Sequence, residues 1–109
     1  MNKYRNIKTV VNGITFDSRK EARRYTELMV LQRAKIITDL ELQKRFEICP
    51  KKYENKRARY YVADFVYVEN GKRVIEDVKS KSTQTPLFSL KWALMKVNYP
   101  EYEYRIYDD

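Results

Sequence analysis

The dipeptide Asn70-Gly71 lies between two runs rich in valine, isoleucine and aromatic residues, ADFVYVE before it and KRVIEDVK after it. Asn-Gly in that setting is the strongest short-range signal for a two-residue β-hairpin, because a type I′ turn needs φ > 0 at both central positions. Such a turn fixes the register. Glu69 then faces Lys72, Val68 faces Arg73, Tyr67 faces Val74 and Val66 faces Ile75. Two steps further out, Asp64 faces Asp77, a like-charge pair whose Cβ atoms would stand about 5 Å apart and repel. Period-2 alternation puts Asp64 on one face with Val62, Val66 and Val68, and Asp77 with Ile75 and Lys79, while Glu76 points to the opposite face.

The remaining signals order themselves around this hairpin. "TVVNGITF" places a second Asn-Gly between apolar pairs and predicts a small hairpin within residues 8–16. Ser18 and Glu21 form a capping-box pattern that starts a helix reaching Ala34 or Lys35. Its apolar stripe is Ala22, Tyr25, Leu28, Met29, Gln32 and Ile36. Leu42 to Cys49 reads as a strand that Pro50 ends, and "EYEYRIY" as a final strand. Between them, Thr85 and Pro86 are the cap and first residue of a second helix, which runs to about Asn98 before Tyr99-Pro100 breaks it. The order helix, three strands, helix, strand predicts one α/β domain over residues 8–109, preceded by a basic arm over residues 1–7.

Histidine is absent and Cys49 is the one cysteine. That excludes Ser-His-Asp and Cys-His nucleophiles, His-ligated or cysteine-cluster zinc, and an internal disulfide. Any hydrolytic chemistry must run on carboxylates, lysine and a hard metal ion. With 23 Lys and Arg against 15 Asp and Glu, the formal charge is +8, which points to an anionic partner, most simply nucleic acid. The excess is densest around Lys51, Lys52, Lys56, Arg57 and Arg59, the expected phosphate contacts. No long apolar run or secretory leader is seen, so a soluble protein of a reducing compartment, the cytoplasm, is expected.

Glu21 falls within or at the edge of the first helix's stripe, in its first turn. If that stripe covers the face carrying Val66 and Ile75, Glu21 approaches Asp64 and Asp77. Three carboxylates at about 4–5 Å repel by a few kcal/mol at an effective dielectric near 20. A hard divalent cation with oxygen ligands, Mg²⁺ or Mn²⁺, removes that cost. Lys79, two residues beyond Asp77, could orient a water or stabilise charge on a phosphate.

A helix Glu, a strand Asp and then Asp-x-Lys on the next strand resembles the PD-(D/E)xK nuclease superfamily, which includes restriction-type endonucleases and Holliday-junction resolvases. The matching residues are Glu21, Asp64, Asp77 and Lys79, with Ala63 where the motif often has proline. The segments "GITFDSRKEARRY", "DLELQ", "YVADFVYV" and "VIEDVKS" look closer still to a family of small phage and prophage proteins long of unknown function and placed in that superfamily. The resemblance implies a restriction-endonuclease-like α-β-β-β-α-β core with a mixed central sheet flanked by helices. It also implies Mg²⁺- or Mn²⁺-dependent cleavage of DNA, with branched DNA and Holliday junctions among the candidate substrates, in the cytoplasm of a bacterial host.

The second helix has two apolar sides, Leu87, Leu90, Leu94 and Val97 on one, Phe88, Trp92 and Met95 on the other. One should cover the sheet; the side of Phe88, Trp92 and Met95 is the expected homodimer surface, which would suit an enzyme that cuts two strands. Two other readings stand beside the nuclease: a DNA-binding module without activity, and a phage accessory protein that binds a host protein through the Trp92 side.

Overall fold

A computed structural model describes residues 7–51 and 57–108; the proposed arm, apart from Ile7, lies outside the described residues. Both Asn-Gly turns form as expected. Asn12 and Gly13 (φ 51° and 77°) join β1 (Thr9–Val11) to β2 (Ile14–Phe16), and Asn70 and Gly71 (φ 52° and 76°) join β4 (Arg59–Glu69) to β5 (Lys72–Val78). The β4–β5 register is the one the turn dictates, from Glu69↔Lys72 through Val66↔Ile75 to Phe65↔Glu76. Helix α1 spans Arg19–Arg33 with the Ser18 hydroxyl accepting from the Glu21 N–H at 3.1 Å, and α2 spans Pro86–Asn98 with Thr85 capping Phe88 in the same way.

Strand β3 is longer than the sequence suggests, Ile37–Cys49. Its first part is disguised by a bulge: Thr38 pairs with Val68 but Glu41 with Val66, so two residues of β3, including Asp39 at φ 57°, oppose one of β4. Strand β6 (Glu103–Tyr107) lies parallel to β5, as a connection through α2 permits. The sheet is therefore mixed, in the order β3-β4-β5-β6, within a single α/β domain.

One helix covers each face of this sheet. Ala22, Tyr25 and Leu28 of α1 pack with Phe65, Tyr67 and Val74, whereas Phe88, Trp92 and Met95 of α2 pack with Tyr61, Ala63, Val66 and Ile75. Ala63 and Phe65 are two residues apart yet belong to opposite cores, so side-chain alternation breaks at Asp64. Gln43, between the Leu42↔Phe65 and Lys44↔Ala63 pairs, takes φ 53° at the same level. Thus α1 covers the Val74 face and not the expected Val66–Ile75 face, and Val62 is exposed rather than covered.

The two sides of α2 are also assigned the other way round. Trp92 is 7% exposed, set among the rings of Tyr61, Phe88 and Tyr104 at 5.3–6.0 Å between centroids. Phe88, Trp92 and Met95 are core and cannot form the expected dimer surface; Leu87, Leu90 and Val97 are the exposed side. At the end of α1, Ile36 is exposed and Ile37 takes the core position. No helix among the described residues is long and apolar enough to cross a membrane.

Glu76 does point away from Asp77, but into the other core at 1% exposure. Arg24 of α1 grips it at both oxygens, Nε to Oε2 at 2.7 Å and Nη2 to Oε1 at 2.8 Å, and the Tyr67 hydroxyl donates to Oε1 at 2.7 Å. This pair ties α1 to β5. Removing one member leaves an uncompensated buried charge, so Arg24→Met should destabilise the fold by about 3–5 kcal/mol. Urea denaturation measures it; a midpoint within error of wild type would mean that water readily reaches the Glu76 carboxylate.

Candidate functional site

Beyond the last β4–β5 ladder pair, Phe65↔Glu76, the two aspartates complete the main-chain bonding of the opposite strand. The Asp64 N–H donates to Asp77 Oδ1 at 2.9 Å, and the Val78 N–H donates to Asp64 Oδ2 at 3.0 Å. The other oxygens are held by side chains. The Tyr61 hydroxyl donates to Asp77 Oδ2, and the Gln43 amide donates to Asp64 Oδ1 at 3.3 Å. Asp77 is 3% exposed, while Asp64 is half-buried at the mouth of two clefts.

Glu21 reaches this pair from the α1 side. Ser18 fixes the first turn, and the Glu21 carboxyl group stands close to that of Asp64, with which it lines one cleft. Glu21 stands within electrostatic reach of Asp64 and Asp77, though not through a shared covered face: Asp64 sits where alternation breaks, within reach of both layers. Lys79 completes the group. Its backbone N–H is anchored on the Tyr107 carbonyl at 3.0 Å, its Nζ lies 4.9 Å from the Phe88 ring centre, and its charge acts on both aspartates.

The balance of forces leaves these acids reluctant to ionise. Burial and then the Asp64 charge push Glu21 up to about 8. Burial raises Asp77 to about 7, with Asp64 adding to it, against the opposing pull of the Asp64 N–H, Tyr61 and Lys79. Asp64 is raised by burial despite the Val78 N–H and the Lys79 charge. Desolvation thus outweighs hydrogen bonding at Asp64 and Asp77, and at Glu21 nothing opposes it. Among the described residues, no group of three or more carboxylate or cysteine side chains is drawn together closely enough to hold a metal ion as it stands.

Two clefts open from this centre. One, of about 390 Å³, is bounded by Asp17, Lys20 and Glu21 on the α1 side and Ser80 and Thr83 beyond β5. The other, of about 310 Å³, runs past Tyr60 and Val62 toward Thr85 and Lys91 on the α2 side. Asp64 and Lys79 line both. Of the expected phosphate contacts, Lys51, Arg57 and Arg59 are exposed, and Lys52 and Lys56 lie outside the described residues. Sequence reasoning missed Tyr61 and Gln43. Tyr61 is one of ten tyrosines with nothing local to mark it, and Gln43 stands opposite Asp64 only once the β3–β4 register is known.

The class this fold and site define is a small mixed α/β protein with an acid cluster and a lysine where a sheet changes its covered face. Comparison with family models places it further: residues 1–107 match DUF1064, a protein family of unknown function, and the chain belongs to that family. No curated protein and no solved structure matches it.

The raised carboxyl groups make a pH prediction whose sign follows from linkage. Glu21 titrates near 4.5 when unperturbed and near 8 in the folded protein. Between those values the folded protein holds a proton that the unfolded chain has released, so this contribution to stability is full at low pH and lost as pH rises toward 8. In chelator, wild type should melt at a lower temperature at pH 8 than at pH 5.5, and Glu21→Gln should flatten that difference. Equal pH slopes for the two proteins would show that Glu21 does not share the aspartates' repulsion.

Proposed function

We propose that the protein is a metal-dependent DNA endonuclease of the PD-(D/E)xK type with a restriction-endonuclease-like core. The observation that carries this reading is the meeting of Glu21, Asp64 and Asp77 beside Lys79 at the end of one hairpin. The order α1-β3-β4-β5-α2-β6 with β5 and β6 parallel supports the fold, and the charge of +8 supports a polyanionic substrate.

The donor set suits Mg²⁺ or Mn²⁺. It is all oxygen, and burial and mutual repulsion make its members reluctant to ionise, a cost that a hard cation would remove. Asp64, Asp77 and Glu21 are the residues that would hold it; when bound it would supply Lewis-acid activation of the phosphate and of water. In the hydrolysis, a water oxygen joins phosphorus, the P–O bond to the leaving sugar oxygen breaks, and that oxygen takes up a proton. Lys79 stands at the mouth of both clefts, where its ammonium can orient the water and offset charge on the phosphate. Tyr61 and Gln43 are positioning residues that act through Asp77 and Asp64.

The second reading, a DNA-binding module without activity, draws on the burial of Asp77, both of whose oxygens already accept hydrogen bonds. Asp77→Asn separates the two. It keeps the side chain's size and removes the carboxylate charge. Cleavage of a panel of linear, nicked, flap and four-way-junction DNA with Mn²⁺ should fall by at least about 10²-fold, equivalent to about 2.7 kcal/mol of transition-state stabilisation. Gel-shift affinity without metal should hold or improve. Lys79→Ala should lose cleavage and bind slightly less well. A variant that cuts at the wild-type rate, or a wild type that cuts nothing in the panel, removes the nuclease reading.

A further inference from the structure

The cleft on the α2 side does not end at Lys91. It shares Tyr60, Leu87 and Lys91 with a larger groove of about 750 Å³ between α2 and the outer ends of β3 and β4. The groove's apolar surface is built from Leu87, Leu90, Leu94 and Ile48, with Leu87 61% and Leu90 58% exposed. Its cations are Arg45, Arg57, Arg59 and Lys91, and among the described residues no carboxylate lines it. Among the described residues, none of these four cations is held in an ion pair. The Arg45 guanidinium lies 4.1 Å from the centre of the exposed Tyr60 ring, a cation–π contact at the junction of the two cavities.

We propose that this groove binds an unpaired strand of DNA and leads it to the acidic cluster, so that the preferred substrate carries a single-stranded segment. The proposal deepens the nuclease reading and rests on it for what the strand is led to, though not for binding itself. A duplex offers phosphates to Arg59 and Lys91, but it hides its base faces and has nothing to lay against Leu87, Leu90 and Tyr60. An unpaired strand offers both, and pairing of cations with apolar or aromatic platforms is how such strands are held. A second copy of the chain fits less well, because packing this surface on itself would set its four cations against their counterparts with no carboxylate of the described residues between them. An acidic peptide would satisfy the charges, but the continuation through Tyr60 and Lys91 to Asp64, Asp77 and Lys79 is a path for a substrate strand.

The test is fluorescence anisotropy with the full chain in chelator. The probes are a labelled oligothymidylate of about 20 nucleotides, a blunt duplex of the same length, and that duplex with a single-stranded tail. Wild type should bind the single strand and the tailed duplex at least about tenfold more tightly than the blunt duplex. Leu90→Glu, at an exposed position, should keep the wild-type melting temperature and mass and lose about tenfold in single-strand affinity, with little change for the blunt duplex. Arg59→Ala should lower the salt slope for the single strand by about 0.7. Equal affinity for blunt and tailed DNA, unchanged single-strand binding in both variants, or a drop in oligomer mass with Leu90→Glu would overturn the proposal, the last by assigning the stripe to self-association. Because metal is absent, the result does not depend on cleavage. A protein that prefers tailed DNA but cuts nothing loses the nuclease reading alone, and an active nuclease indifferent to Leu90→Glu loses this one alone.

Discussion

Where β4 and β5 part, each strand's main chain is satisfied by the other strand's carboxylate. Asp77 accepts the Asp64 N–H, and Asp64 accepts the Val78 N–H. A buried peptide N–H without a partner is costly, so this exchange lets the ladder stop inside the molecule without orphaned donors. Much else depends on it. The strands can diverge here, alternation can break at Asp64, and α1 and α2 can cover opposite faces while both reach the same two residues. The price is a pair of carboxylates in a poorly hydrated setting, which a third, Glu21, makes worse.

Glu76 and Asp77 are neighbours in sequence and both nearly fully buried, yet they are neutralised in different ways. Glu76 has a guanidinium across both its oxygens and a tyrosine hydroxyl besides, the form in which a buried carboxylate is tolerated. Asp77 has a tyrosine hydroxyl and a peptide N–H, both uncharged, with Lys79 acting at longer range. The first arrangement is closed. The second leaves an incompletely compensated acid beside an open cleft, which is what marks it as a candidate site.

The hairpin was legible because its information is local: Asn70-Gly71 fixes the turn, the turn fixes the register, and the register runs to Phe65↔Glu76, one step short of Asp64 and Asp77. Both helix starts were legible for the same reason, through Ser18 and Thr85. What could not be read depends on how layers meet. Alternation assumes an unbroken ladder, and nothing about glutamine announces that Gln43 will take a positive φ beside Asp64. The bulge at Asp39 hid the first part of β3 in the same way. The two apolar sides of α2 are equivalent as patterns; in the fold the aromatic side meets the rings of Tyr61 and Tyr104, partners that only the sheet's assembly supplies. That Glu76 would be clasped inside the other core could not be read, because its partner, Arg24, lies 52 positions away on another element.

The arrangement of charge has a further consequence. Arg45, Arg59 and Lys91 stand along the groove, whereas the centre itself is acidic. Under the proposed function, a phosphodiester would be drawn in by the rim and repelled by the middle, unless Glu21, Asp64 and Asp77 are neutralised by protons or by a cation. Affinity and reactivity would then be separable in space: the rim would supply attraction that salt screens, and the centre would supply chemistry that becomes available only when its repulsion is cancelled. Coupling follows from the same geometry. Whatever neutralises the acids also favours close approach of the phosphate, and by linkage a phosphate held there strengthens the hold on the neutralising cation. Lys79, shared by both clefts and acting on both aspartates, is where those two effects meet.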